Sequence, residues 1–233
     1  MDNTNSMDHV EFTDRRSLPM MALRGLTVFP GMMLTFEVER SMSIAALNMA
    51  MSDDQIIYLV PQIDIATDIP TPEDVYGVGT VCRIKQMMKQ PGSKTVRVMA
   101  EGIERGRTLA VRTDMPCFVA EVEPMPDVAE RKTARIEALI RHCCNLFDAY
   151  VTVSGNMAPE SVITVLGSTN AGFVSNFIAQ HVFLRPEQKQ ELLEQTRPSR
   201  RLTLLSKMLL HETSVLGLQH QLCLLYTSDA ADD

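Results

Sequence analysis

Gly167 and Gly172 bracket Ser-Thr-Asn-Ala with the glycine spacing of a phosphate-cradling loop. In such a loop a following lysine reaches the terminal phosphates and a hydroxyl ligates magnesium. Phe173 and Val174 occupy those places here, so the segment reads as a turn between helices. Gly77 and Gly79 open like a dinucleotide loop, but Cys82 stands where the third glycine belongs, and the run leads into a strand instead of a helix. His142, Cys143 and Cys144 are metal-ligand types, yet adjacent residues on a helix point about 100° apart and cannot easily share one ion. They read as core thiols beside a histidine. His211-Glu212 begins like a zinc-protease helix, but position 215 is Val, so the second histidine is missing. Ser154-Gly155 belongs to no G-x-S-x-G elbow, and no serine is flanked by a nearby lysine and an anion hole. The chain is read as holding no catalytic, cofactor-binding or metal-binding residues of its own.

What remains is contact chemistry. Phe29-Pro30-Gly31 cuts an apolar run that resumes with Met32, Met33 and Leu34. A turn sits at the surface, and methionine is an adaptable apolar contact. Phe29, Pro30, Met32 and Met33 are therefore the candidate substrate-binding residues. The competing reading tucks Phe29 and the methionines under the turn to close the sheet, and it has the stronger claim on Phe29. A second candidate is the strip 83–112. There Arg83, Lys85, Lys89, Lys94, Arg97, Arg105, Arg107 and Arg112 face only Glu101 and Glu104. Such a strip could meet a polyanion, although the solvated face of a hairpin is the commoner use. The net charge of −7 gives no overall attraction for nucleic acid.

Stepping along the chain, residues 1–17 form a polar, charged arm expected to be flexible. From 18 to 123 the pattern alternates. Leu34, Phe36 and Val38 take one face, as do Val96, Val98 and Ala100, and then Phe118, Ala120 and Val122. Period two with one polar face predicts antiparallel sheet. Ile56 to Val60 is apolar throughout, which predicts a strand covered on both sides. One helix interrupts the strands, with Ser41 as its expected cap and Ile44, Leu47 and Met51 on its expected inner face. Gln90 to Lys94 reads as a hairpin loop. Pro124 and Pro126 then mark a boundary. Beyond it Ile136, Leu139, Ile140, Cys143, Leu146, Phe147 and Tyr150 recur at three and four, a helix of roughly six turns. Shorter helices follow near 159–166 and 170–183. Pro186 and Pro198 sit where first-turn prolines belong, and Leu202, Leu205, Leu209 and Leu216 stripe the last helix. The prediction is an α+β chain, in which a rolled antiparallel β-sheet (pseudo-barrel) lobe with one helix at 18–123 is followed by a helical bundle at 124–221.

The five cysteines are scattered and odd in number, which suggests a reducing compartment rather than a disulfide framework. No apolar run approaches the ~20 residues of a membrane span, and the polar start is unlike a signal peptide. A cytoplasmic protein without membrane partners is expected. From Gln221 the sequence reads QLCLLYTSDAADD, similar to adapter read-through. Residues 222–233 are thus expected to be a non-native tail, with the native chain continuing beyond.

"LPMMALRGLTVFPGMMLTFEVERSMSIAAL" resembles the opening of the Lon-type ATP-dependent proteases, where L-P-L-R-x-x-V-x-F-P-G-M leads into a strand and a helix. Leu18, Pro19, Leu23, Arg24, Val28, Phe29, Pro30, Gly31 and Met32 match in order, while Met20 to Ala22 interrupts the shortest spacing. "DVYGVGTVCRIKQMMKQPGSKTVRVMAEGIERGR" resembles the second hallmark of that family through Gly79, Thr80, Ile84, Gly102 and Arg105, with Cys82 and Ala100 as departures. The helical half, "FIAQHVFLRPEQKQELLEQTRPSRRLTLLSKMLLHE", resembles the bundle that joins this domain to the motor. The resemblance covers about residues 18–220. It implies a substrate-recognition domain whose partners are unfolded or tagged proteins. It also implies a parent enzyme that is a homohexamer, with an AAA+ motor using ATP and Mg and a serine–lysine protease site further on. Two alternatives remain at this point: a stand-alone binding domain acting as an interaction module, and a polyanion or nucleic-acid contact through 83–112.

Overall fold

The computed structural model describes residues 14–89, 92, 94–155 and 159–229. Most of the expected arm, residues 1–13, and most of the expected loop at 90–94 lie outside these. The chain forms two units, Met1–Pro126 and Asp127–Asp233, and their different sequence periods give them different architectures.

The first unit contains β1 (Arg16–Leu23), β2 (Met33–Val38), α1 (Ser41–Met51), β3 (Ile56–Pro61), β4 (Val78–Lys89), β5 (Val96–Arg112) and β6 (Phe118–Pro124), with a 3-10 turn at Pro72–Asp74. The strands lie in the order β2-β5-β4-β3-β1-β6, and β6 returns to pair with β5. The length of β5 makes this closure possible. Its first part, Val96–Glu101, pairs with β2, and its last part, Gly106–Arg112, pairs with β6. The expected rolled sheet is therefore present. Its ladders are antiparallel except β1 with β3, which run parallel, Met20 beside Tyr58 and Leu23 beside Pro61. That pair is reached through β2 and α1, the crossover that parallel strands require.

β3 is buried along its whole length, and the two clusters it divides explain its apolar run. Ile57 and Leu59 face a core shared with Met21, Leu23, Leu47, Cys82 and Ile84. Ile56, Tyr58 and Val60 face another shared with Leu18, Met20, Val81, Phe118 and Val122. Each such side chain removed from water contributes ~1.5–3 kcal/mol. Tyr58 keeps its hydroxyl satisfied by donating to the Gly106 carbonyl at 2.8 Å, and burial pushes its pKa up to about 12.

α1 departs from expectation in two ways. Ser41 is its first residue, not its cap; Arg40 holds the cap position, and no side chain caps the helix. The buried face is Ser43, Ala46, Leu47 and Ala50, while Met51 is exposed. Leu47 of the expected inner face is buried and Ile44 packs half-buried against the same core, while the small Ser43, Ala46 and Ala50 let the helix lie close to β1 and β3.

The second unit contains α2 (Ala134–Ser154), α3 (Pro159–Leu166), α4 (Ala171–His181), α5 (Pro186–Glu194) and α6 (Pro198–Asp229). Thr133 caps α2 and Asn170 caps α4 through their side-chain oxygens. Gly155 ends α2 at φ 64°, the left-handed position glycine tolerates. Helical backbone continues to Asp229, beyond Gln221 where the periodicity fades, because Gln, Leu and Cys do not themselves interrupt a helix. Ile140, Cys143, Phe147, Phe177, Ile178, Leu192, Leu193, Leu202, Leu205 and Leu209 are buried. Arg201 is fully buried, and its fork is met on every side. It donates to both Asp127 oxygens at 2.9 and 2.7 Å, to Ser175 Oγ at 2.8 Å and to the Gln195 carbonyl at 2.6 Å. This lock ties the entry of the unit to α4 and α6, since an unpaired buried guanidinium would be very costly.

Candidate functional site

The four candidate residues of the turn separate on folding. Met32 N–H donates to the Phe29 carbonyl at 3.1 Å, and Gly31 has φ 78°. Proline second and left-handed glycine third make this a type II turn. Two further bonds dock it on β5, from Gly31 N–H to the Gly102 carbonyl at 2.8 Å and from Gly102 N–H to the Met32 carbonyl at 2.9 Å. Thr80 Oγ1 donates to the Val28 carbonyl at 2.6 Å. A Cβ on Gly102 would land on the Phe29 carbonyl, which is the physical reason that position is glycine. Phe29 is 0% exposed and Met32 is 5% exposed, whereas Met33 is 55% exposed. Pro30 is half-buried. The turn therefore brings these residues together in space but presents only Pro30 and Met33 outward.

A larger opening lies where β1 passes the start of α1. Two adjoining cavities of 450 and 270 Å³ share Met21, Ala22, Arg40, Ser43 and Asp68. The smaller is walled by Met20, Met42, Ile69, Pro70 and Phe118. Its outer wall is the 62–71 loop, a segment rich in exposed isoleucine, with Ile63 at 48%, Ile65 at 53% and Ile69 at 79% exposed. The loop is held by polar clasps rather than by a core. Gln62 Nε2 donates to the Thr67 carbonyl at 2.7 Å, and Arg24 donates to Asp68 at 2.6 Å and to the Thr67 carbonyl at 3.1 Å. Arg40 donates to Gln62 Oε1 at 3.0 Å. The isoleucines are consequently left to solvent. None of these residues is a candidate site residue in the sequence, where Arg24 stands out only through the family resemblance. The available signal was three isoleucines, Ile63, Ile65 and Ile69, set among Asp64, Thr67 and Asp68 outside any strand.

The electrostatics of this groove are uneven. Hydrogen bonding from Arg24 holds the Asp68 carboxyl below its usual value, so those two charges satisfy each other. Burial first, and then the charge of Arg24, lowers the pKa of Arg40.

Elsewhere the candidate chemistry resolves into structure. Cys82, Cys117, Cys143 and Cys144 are buried free thiols. Burial pushes Cys143 up to about 12, and its Sγ donates to the Leu202 carbonyl at 3.2 Å. No cluster of three His, Cys, Asp or Glu side chains among the described residues is placed to hold a metal. Asn170 within the glycine-bracketed segment caps α4. In the basic strip, Lys85 pairs with Glu101 at 2.6 Å and Arg97 with Glu37 at 2.7 Å, and Arg105 is buried. The strip is thus partly neutralised and does not form one continuous basic face. No helix among the described residues is long and apolar enough to cross a membrane.

Residues 17–211 match the family described as ATP-dependent protease La (LON) substrate-binding domain. The Lon protease of Clostridioides difficile (strain 630) is 35% identical over 95% of this chain and 28% of its own length. That of Desulforamulus reducens is 37% identical over 89% of this chain and 25% of its own length. The chain thus spans about a quarter of the relatives it matches. Among solved structures, the N-terminal domain of Mycobacterium avium complex Lon protease superposes with a TM-score of 0.68 at 21% identity, covering 85% of this chain and 98% of that one. The Lon N-terminal domain protein from Xanthomonas campestris gives 0.58 at 18% identity, covering 82% and 96%. These two likenesses concern the fold.

Proposed function

Because the chain belongs to the family of ATP-dependent protease La (LON) substrate-binding domains, we propose that it captures exposed apolar segments of unfolded or tagged polypeptides along the β1–α1 groove. The observation that carries this reading is the groove's wall. Isoleucines of the 62–71 loop stand in solvent beside an open apolar cavity, and such patches mark interaction sites. The half-buried Met42 suits a surface that must accept many sequences, while Met20 and Met21 lie in the core behind it. In this reading Pro30 and Met33 add a further apolar contact, while Phe29 and Met32 support the turn from beneath. The Lon relatives support a place in a larger enzyme. A cytoplasmic homohexamer would use ATP and Mg²⁺, bound outside these residues, to unfold and cut the captured chain in protein quality control.

The test is a fluorescence anisotropy titration of this chain against permanently unfolded casein and against a compact, stably folded protein. Saturable binding of casein alone is expected. Equal binding of both proteins, or of neither, would overturn the proposal.

A further inference from the structure

Within that substrate-capture reading, we infer that the groove takes up its polypeptide as an added β-strand, bonded through the main chain to the open edge of β2. The first observation is the parity of β2. Among the described residues its one strand partner is β5, with Leu34 beside Ala100 and Phe36 beside Val98. Gly102 N–H donates to the Met32 carbonyl across the same ladder, and the main-chain groups of an antiparallel strand turn to either side in alternation. Leu34, Phe36 and Val38 therefore bond to β5, and the N–H and C=O groups of Met33, Thr35 and Glu37 point away from it. No backbone partner meets them among the described residues. This edge is also unguarded. Its six residues include no proline and no lysine, the usual devices against a docking strand.

The second observation lies on the facing wall. The Leu23 carbonyl accepts from Gln62 N–H at 2.8 Å, which turns Leu23 toward β3 and Ala22 the other way, to the side where β6 pairs with β1. That pairing ends at Met20 opposite Phe118. Ala22 is half-buried and lines both cavities, so its N–H and C=O groups face the groove with no strand beside them. Main-chain groups drawn away from bulk water are nearly always paired, and the partner of these comes from the groove.

The third observation is the shape of the larger cavity. Its 450 Å³ touch Met21, Ala22 and Leu23 in succession on β1 and Phe36, Glu37 and Val38 in succession on β2. Successive residues of a strand point to opposite faces. A hollow bounded by successive residues therefore runs along strand edges and not over one face.

The charged side chains around this hollow are already engaged. Glu37 pairs with Arg97 and Asp68 with Arg24, Glu39 accepts from Thr95, and Arg40 donates to Gln62 and Thr67. Three carboxylates thus stand against three guanidiniums, and the lining shows no net charge to an ion. What it leaves unmet is main chain, and the neutral ligand that carries matching donors and acceptors at strand spacing is an extended polypeptide. An unfolded chain has these groups available, whereas a folded protein has committed them to its own ladders and helices. Strand addition therefore separates the two without reading a sequence. Apolar side chains at alternate positions are favoured, because one face of the added strand looks onto Met42, Ile69, Pro70 and Phe118 of the adjoining cavity.

The experiment measures anisotropy of two fluorescein-labelled peptides on this chain, followed by residue-resolved hydrogen exchange. The parent peptide alternates valine and threonine over eight residues between terminal lysines. Its twin has the same side chains but is N-methylated on four successive central amides. The twin is expected to bind at least about tenfold more weakly, the effect of losing several main-chain hydrogen bonds. On saturation with the parent, the amides of Met33, Thr35 and Glu37 should slow, while those of Leu34, Phe36 and Val38, already bonded to β5, should not change. Contact through side chains alone does not produce that alternation. Equal binding of the two peptides, no binding of the parent, or protection without the alternation overturns the inference. Protection of Met33, Thr35 and Glu37 that grows with the concentration of the unbound chain also overturns it, since a second copy would then fill the edge. If casein still binds in any of these cases, substrate capture stands and only strand addition is wrong; if casein does not bind either, both fall.

Discussion

The Phe29–Met32 turn and the β1–α1 groove are both built from large, soft apolar residues, and they meet opposite fates. At the turn, backbone groups from Gly31, Met32, Gly102 and Val28 are each paired, so the chain is fixed and Phe29 and Met32 are drawn inside. At the groove, the 62–71 loop is held by main-chain bonds from Gln62 to Leu23 and from Ile63 to Asp74 and by the Gln62, Arg24 and Arg40 side chains around Thr67 and Asp68, and its isoleucines stay out. The difference lies in where the hydrogen bonds are, not in hydrophobicity. The turn is bonded directly onto β5, which carries its side chains into the core, whereas the loop is bonded at its ends and around Thr67, which leaves the side chains between them available. The first arrangement makes structure and the second makes a contact surface.

This contrast can be broken from either side. The largest effect is expected from Phe29→Ala. Removing a fully buried ring should cost about 3–5 kcal/mol, read as a lower midpoint in urea unfolding. Thr80→Val should come next, because it leaves the buried Val28 carbonyl without the hydroxyl that serves it. A loss of about 1–3 kcal/mol is expected, again by denaturation. Ile69→Asp reverses the pattern. At 79% exposed it should leave stability within about 0.5 kcal/mol yet weaken binding of an unfolded polypeptide about tenfold. Met33→Glu should also spare stability and should weaken binding by a smaller factor, roughly two- to threefold. A fall in melting temperature with Ile69→Asp, or unaltered stability with Phe29→Ala, would exchange the roles assigned to the two regions. The weakest response is expected from salt. With Lys85 and Arg97 already paired, casein binding should change little on raising ionic strength. A steep decline would instead favour the polyanion contact through 83–112.

The same division decides what could be read from sequence. α2 was legible because its outer face is water-exposed, so Ile140, Cys143, Phe147 and Tyr150 stand out against charged neighbours. β3 was legible as an uninterrupted apolar run, and β2, β5 and β6 through alternation. α1 was placed and its Leu47 set inside as the structure has it, but Met51 is exposed and Ser43, Ala46 and Ala50 went unmarked, because they serve closeness to the sheet and not apolar size. The parallel pairing of β1 with β3 joins residues far apart in the chain, such as Met20 and Tyr58, and no local period encodes it. Of the candidate site, the Phe29–Met33 segment was visible as an anomaly, but its inward turn depends on Gly102 and Thr80, many residues away. The groove was hidden for the same reason. Arg24 reaches Asp68 across 44 positions and Arg40 reaches Gln62 across 22, and these long-range clasps alone make a surface out of an irregular loop.

Hydrogen exchange with and without saturating unfolded casein tests the central claim most directly, since it reports both regions in one experiment. The account predicts slowed exchange at 40–44 and 62–71 on binding, with Gly31 and Met32 unchanged because their amides are already bonded. Protection confined to 28–33, with the groove exchanging as it does in the unbound chain, would contradict it.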